Sequence, residues 1–109
     1  MIRLKVYRVA LEMVAEASAL AALIGRHDRD LERQLRRSST SVPLNIAESL
    51  GSRGKNVNAR RDDARGSALE AYATLEVAEA AGYLSPGRSR SALSKLDYIS
   101  GALYRMNQG

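Results

Sequence analysis

Val6, Ala10, Met13, Ala17, Leu20 and Ile24 recur in alternating steps of four and three residues. Such steps fall on one face of an α-helix, whereas a half-buried strand would need strict alternation. The same spacing runs through Leu31, Leu35, Ser38, Val42, Asn45 and Ser49, then through Ala64, Ala68, Ala71, Leu75, Ala78 and Gly82, and finally through Leu93, Leu96, Ser100 and Leu103. Between these runs lie segments that suit connections. Gly25 is placed to cap the first helix, and the charged pair His27-Asp28 follows it. Gly51, Ser52, Arg53 and Gly54 form the clearest break, because glycines beside small polar residues are costly inside a helix and natural in a turn. Ser85-Pro86-Gly87 makes another turn, with Ser85 a candidate cap and Pro86 a candidate first helical residue. The pattern predicts helices over about residues 2–25, 28–50, 56–82 and 86–107.

A chain of 109 residues supports one domain, spanning 1–109. Hydrophobic residues make up 45% of it but aromatics only 5%, with no Phe or Trp, so Leu, Val, Ile and Ala must fill the core. Alanine-rich packing favours closely approaching helices over a sheet. Four helices of roughly 30 to 40 Å joined by short turns give an all-α fold, an antiparallel up-down four-helix bundle. The absence of cysteine excludes a disulfide framework, a thiolate nucleophile and a cysteine-based zinc site. Residues 1–25 carry early basic residues and an Ala/Leu-rich run, faintly like a signal peptide, but Glu12 and Glu16 interrupt it. No stretch approaches the roughly 18 apolar residues of a membrane span, so no membrane partner is expected and a cytoplasmic location is the default.

Two features depart from a plain bundle. The third helix has a second apolar line, Gly66, Leu69, Ala73, Val77, Ala80 and Leu84, nearly opposite the first, and one core cannot bury both. Leu4, Leu11, Ala15, Ser18 and Ala22 form a weaker counterpart on the first helix. Alanine is tolerated at any helix surface, but Leu69, Val77 and Leu84 with Ala73 between them point to self-association through this face. In the second helix, Pro43 cannot donate to the Ser39 carbonyl and crowds that turn, which predicts a kink or local break. Ser39, Thr40 and Ser41 are placed to hydrogen-bond the disturbed carbonyls. Asn45 and Glu48 follow on or near one side, where with Ser41 they can meet Ser67 and Glu70 of the third helix in a polar cluster that fixes register.

The stretches QLRRSSTSVPLNIAES, from Gln34 to Ser49, and ARGSALEAYATLEVAEAAGYL, from Ala64 to Leu84, resemble the four-helix bundle proteins encoded in ribosomal RNA intervening sequences. The family pattern reads Gln-Leu-Arg-Arg, Ser-Ile-Pro-x-Asn-Ile-Ala-Glu-Gly, then Gly-Ser-x-x-Glu. The residues that carry it here are Gln34, Arg36, Arg37, Ser41, Pro43, Asn45, Glu48, Gly66, Ser67 and Glu70. The chain departs from it at Ser49, where the family commonly has Gly, and at Arg65-Gly66, where a small residue often precedes the Gly. The first and last helices match only in length and apolar period. The resemblance implies an all-α fold and a homopentamer. A related branch, the accessory variability determinant proteins of diversity-generating retroelements, looks like a basic pentamer that binds nucleic acid and a reverse transcriptase.

Charge is uneven along the chain. Residues 26–61 hold nine basic and four acidic residues, which accounts for the whole net charge of +5. Arg26, Arg29, Arg33, Arg36 and Arg37 form a stripe opposite Leu31, Leu35 and Val42, and Arg53, Lys55, Arg60 and Arg61 extend it. Such a stripe suits phosphate backbones, with salt-dependent and sequence-independent affinity. The alternative is a salt-bridged, solvated face with Asp28, Asp30 and Glu32 as partners. No aromatic residue interleaves with the arginines, so base stacking is not expected. Enzyme readings fail on the residues themselves. A bundle di-metal site needs Glu-x-x-His pairs, and His27, the sole imidazole, has no carboxylate three residues before it. Ser38, Ser39 and Ser41 therefore lack a base, and Gly54-Lys55 lacks the rest of a phosphate loop. No cofactor or metal is expected. The leading expectation is a non-catalytic homo-oligomeric bundle that binds RNA or DNA through its basic face, and the alternative is a scaffold that recruits a protein such as a reverse transcriptase.

Overall fold

A computed structural model of the chain describes residues 2–109. Its elements are α1 (Lys5–Ile24), α2 (Arg29–Leu50), α3 (Lys55–Ala80) and α4 (Arg90–Gln108), with no strand among the described residues. Each helix packs against two others in the cyclic order α1, α2, α3, α4, α1, giving a rod of 43 × 23 × 21 Å. Ser41 of α2 meets Ser67 of α3, while the later Glu48 meets the earlier Arg60, the order of contacts that antiparallel neighbours make. None of the described helices is long and apolar enough to cross a membrane.

Most of the spaced positions read from the sequence supply the core, joined by Ile46 and Ile99, which that spacing leaves out, while Gly82 is exposed and Leu31, Asn45, Leu93 and Ser100 are half-buried. Val6, Ala10, Met13, Ala17, Leu20 and Ile24 are buried on α1, as are Ala64, Ala68, Ala71, Leu75 and Ala78 on α3. Met13, Leu35, Ile46, Leu75, Leu96, Ile99 and Leu103 fill the space between the alanine-lined backbones. Burying a side chain of this size is worth about 1.5–3 kcal/mol relative to exposure, so the apolar seam decides the fold.

Helix ends follow local chemistry. The Asp28 carboxylate accepts the Leu31 N–H at 2.9 Å, and Asp30 and Glu32 in the first turn complement the positive end of the α2 dipole. Gly54 precedes α3 with φ 60°, ψ −132°, a conformation that side chains beyond hydrogen resist. At the other end Gly82 takes φ 80°, and the Tyr83 N–H returns to the Ala78 carbonyl at 2.9 Å, closing α3 two residues before Gly82.

That reversal corrects two expectations. Leu84 was assigned to an outer apolar line, but it is only 3% exposed and belongs to the core. The α3 wheel ends at Ala80, so it does not govern a residue beyond the reversal. Nor does Pro86 begin a helix, because Gly87 takes φ 80°, outside helical space, and α4 starts only at Arg90. The connection is held instead by Glu79, whose carboxylate accepts the N–H groups of Gly87 at 3.0 Å and Ser89 at 3.2 Å.

Pro43 does not break α2, which runs continuously from Arg29 to Leu50 with the proline buried. The nearby hydroxyls bond elsewhere than expected. Ser38 donates to the Gln34 carbonyl, and Ser39 and Thr40 donate to that of Arg36, one turn before the Ser39 carbonyl that Pro43 leaves free. A serine or threonine hydroxyl reaches back three or four residues, so it cannot serve a carbonyl in its own turn.

Candidate nucleic-acid interface

The cap at Asp28 sets where α2 begins, and burial of its seam turns Leu35, Ser38 and Val42 inward and Arg29, Arg33 and Arg37 outward. Arg26 stands exposed in the preceding turn. Arg33 pairs with the exposed Asp30. Arg36 lies over toward α1, its Nε and Nη2 donating to Glu32 Oε2 at 3.0 and 2.9 Å and its Nη1 to Ser18 Oγ at 3.2 Å. Asp28, Asp30 and Glu32 are thus engaged within the chain, whereas Arg26, Arg29 and Arg37 have no carboxylate partner among the described residues.

The continuous stripe expected from the sequence is divided in two. Arg53 and Lys55 are exposed without ion pairs among the described residues, but they lie beyond the other end of α2, which runs on for about 20 Å past Arg37 at 1.5 Å per residue. Arg60 is shared between Glu48 at 3.5 Å and Asp63 at 3.4 Å. Arg61 departs furthest from expectation: half-buried, it donates to the Met106 carbonyl at 3.3 Å and to Asn107 Oδ1 at 3.4 Å. Its role is to tie the start of α3 to the end of α4, because its position on α3 faces the neighbouring helix.

The polar cluster is also smaller than expected. Ser41 and Ser67 hydroxyls lie 2.9 Å apart, and Asn45 Nδ2 donates to the Ser41 carbonyl and hydroxyl at 3.0 and 2.9 Å. Glu48 is drawn away by Arg60, and Glu70 is exposed with no side-chain partner among the described residues, its carbonyl accepting the Thr74 hydroxyl. On the outer face of α3, Leu69 is 68% and Val77 53% exposed, with Ala73 exposed between them.

A shallow cleft of about 600 Å³ lies between α3 and α4, bordered by Arg65, Asp97, Tyr98, Tyr104 and Arg105. The Arg65 guanidinium sits over the Tyr104 ring at 5.0 Å and 3.6 Å from Asp62. No group of His, Cys, Asp and Glu able to hold a metal ion occurs among the described residues.

One arrangement was not foreseen. His27 and Tyr83 stack with ring centroids 5.1 Å apart and planes 7° from parallel, joining the connection after α1 to the one after α3. The arginines therefore do have an aromatic neighbour. Both rings follow a helix-terminating glycine, Gly25 or Gly82, a placement visible in the sequence although their meeting is not.

Among solved structures, the chain is similar to a protein of unknown function from the S23 ribosomal protein family of Bacteroides thetaiotaomicron. The two share 20% identity and superpose with a TM-score of 0.85, over 93% of this chain and 96% of that one. Likeness at that identity speaks for the fold alone. No curated protein matches the sequence. The family model described as 23S rRNA-intervening sequence protein matches residues 3–105, nearly the whole chain. With its four-helix architecture and the motifs of α2 and α3, the chain belongs to the 23S rRNA-intervening sequence protein family.

Proposed function

We propose that the chain is a non-catalytic, self-associating bundle that binds nucleic acid, RNA foremost, along its phosphate backbone. Contact is made by the arginines at the α1–α2 end. One observation carries this reading. Asp28, Asp30 and Glu32 are occupied by partners of their own helix, which leaves the positive charge of Arg26, Arg29 and Arg37 uncompensated and exposed. Phosphates are the natural counter-charge, and each one neutralised releases counterions and favours binding. Arg33 can join by exchanging its exposed partner Asp30, whereas Arg36 is held by half-buried Glu32 and by Ser18, and Arg61 is committed to α4.

The test is retention of a blunt RNA duplex as salt is raised. Affinity should fall linearly on a double-logarithmic plot, and Arg29→Glu with Arg37→Glu should weaken binding and flatten the slope by about two phosphate contacts. Salt-independent binding, or full binding by the double variant, would remove the proposal. A second reading, a scaffold for a protein partner such as a reverse transcriptase, draws on the exposed Leu69 and Val77 of α3. Under it, the charge reversal would leave capture of that partner intact.

A further inference from the structure

The end of the bundle that carries the free arginines is built from two connections, and the ring pair is where they touch. Tyr83 is half-buried and packs against the core, while His27 is exposed. Near-parallel planes set Tyr83 against one face of the imidazole, and the exposure of His27 puts the remainder of the ring in contact with solvent. Arg26 and Arg29 flank His27 in sequence, and Arg88 lies on the same connection as Tyr83; all three are exposed and none has a carboxylate partner among the described residues. The nearest carboxylate before Arg88 in sequence, Glu79, is occupied by the backbone of Gly87 and Ser89.

A flat open ring among uncompensated guanidinium groups has a definite chemical complement: an aromatic ring joined through short linkages to anions on both sides. A nucleotide within a chain has that form. In a duplex the base is paired and stacked between its neighbours, so only an unpaired base can lie on a ring while its flanking phosphates splay to either side. We infer that His27, backed by Tyr83, is a stacking platform for one unpaired base of a bound RNA, with the flanking phosphates held by Arg26, Arg29 and Arg88. The inference rests on the basic-end reading above and adds to it a preference for unpaired nucleotides, centred on a residue outside the arginine stripe.

The test compares two RNA hairpins of equal phosphate number, their loops replaced by the same non-nucleotide linker so that no loop base is unpaired, by fluorescence anisotropy at one salt concentration. One is blunt, and the other exchanges its last pairs for a short single-stranded 3′ extension. The wild-type chain should bind the extended hairpin about tenfold more tightly, the worth of one stacked base. His27→Ala should remove that preference and leave blunt affinity unchanged, whereas His27→Phe, which keeps a ring without the imidazole's capacity for charge, should retain it. Tyr83→Leu, which keeps apolar bulk on the core side, should reduce the preference, and circular dichroism verifies the fold of each variant. Equal binding of both hairpins by the wild type, or a preference that survives His27→Ala, overturns the platform while leaving the basic-end reading in place. Failure of the wild type to bind either hairpin overturns both.

Discussion

Glu79 shows how much can rest on one side chain. Its carboxylate is held below the ordinary carboxylate value of 4.5 by the Gly87 N–H above all, with the Ser89 N–H and the nearby Arg90 charge adding to it and partial burial opposing. A depressed pKa in the folded state means that folding favours the ionised form. The resulting stability is present above the unfolded value and is lost as pH falls through the lower folded one. Glu79→Gln should therefore lower the melting temperature at neutral pH, and the gap from wild type should close as pH drops below the ordinary carboxylate range. A gap that persisted unchanged into acid would show that shape rather than charge holds the connection. Between α1 and α4 a second pair behaves differently. Burial opposes ionisation of Glu16, but hydrogen bonds from Lys95 and Ser91 and the charge of Lys95 outweigh it, and the Lys95 pKa is raised chiefly by its hydrogen bond to Glu16. Its contribution is lost on both sides, below the folded Glu16 value and as pH rises through the raised Lys95 value.

At the scale of elements, α2 carries a proline where a helix ordinarily rejects one, and magnitudes decide what its removal would do. Interior proline costs about 3 kcal/mol relative to alanine. The two ring carbons that buried Pro43 would give up are worth about 1.6 kcal/mol of transfer free energy. Pro43→Ala should accordingly stabilise the protein by about 1 kcal/mol, read from urea denaturation, and a lower midpoint would mean that the ring's packing exceeds its transfer value. The helices themselves were legible because four-and-three spacing depends only on the chain's own period, and buried Val6, Ala10, Ala68, Leu75 and Leu96 follow it. The position of Leu84 and the start of α4 were not, because they turn on positive φ at Gly82 and Gly87 and on a carboxylate eight residues away. For the same reason the candidate site was only half legible. Arginine placement on α2 follows from the wheel, whereas the capture of Arg61 by α4 and the meeting of His27 with Tyr83 depend on elements distant in sequence.

For the whole molecule, the self-association proposed for the outer face of α3 would set how many copies of the basic end act together. This helix is apolar on opposite sides, and a bundle one layer deep can bury only the side that holds Ala64, Ala68, Ala71, Leu75 and Ala78. Leu69 and Val77, 68% and 53% exposed, are left for another surface, and a second copy of the chain offers the same line in return. Substituting aspartate at both positions should cost the fold little, since neither side chain is in the core. Light scattering should find the wild type as a multimer and the double variant at the 11.9 kDa of a single chain, with unchanged helicity. Association of this kind would also multiply the arginine ends available to one RNA, so the variant should bind a long RNA more weakly than wild type although every arginine is intact, and a short hairpin about equally. An unchanged mass would place the seam between copies elsewhere, while a lower mass with full affinity for long RNA would show that one basic end suffices.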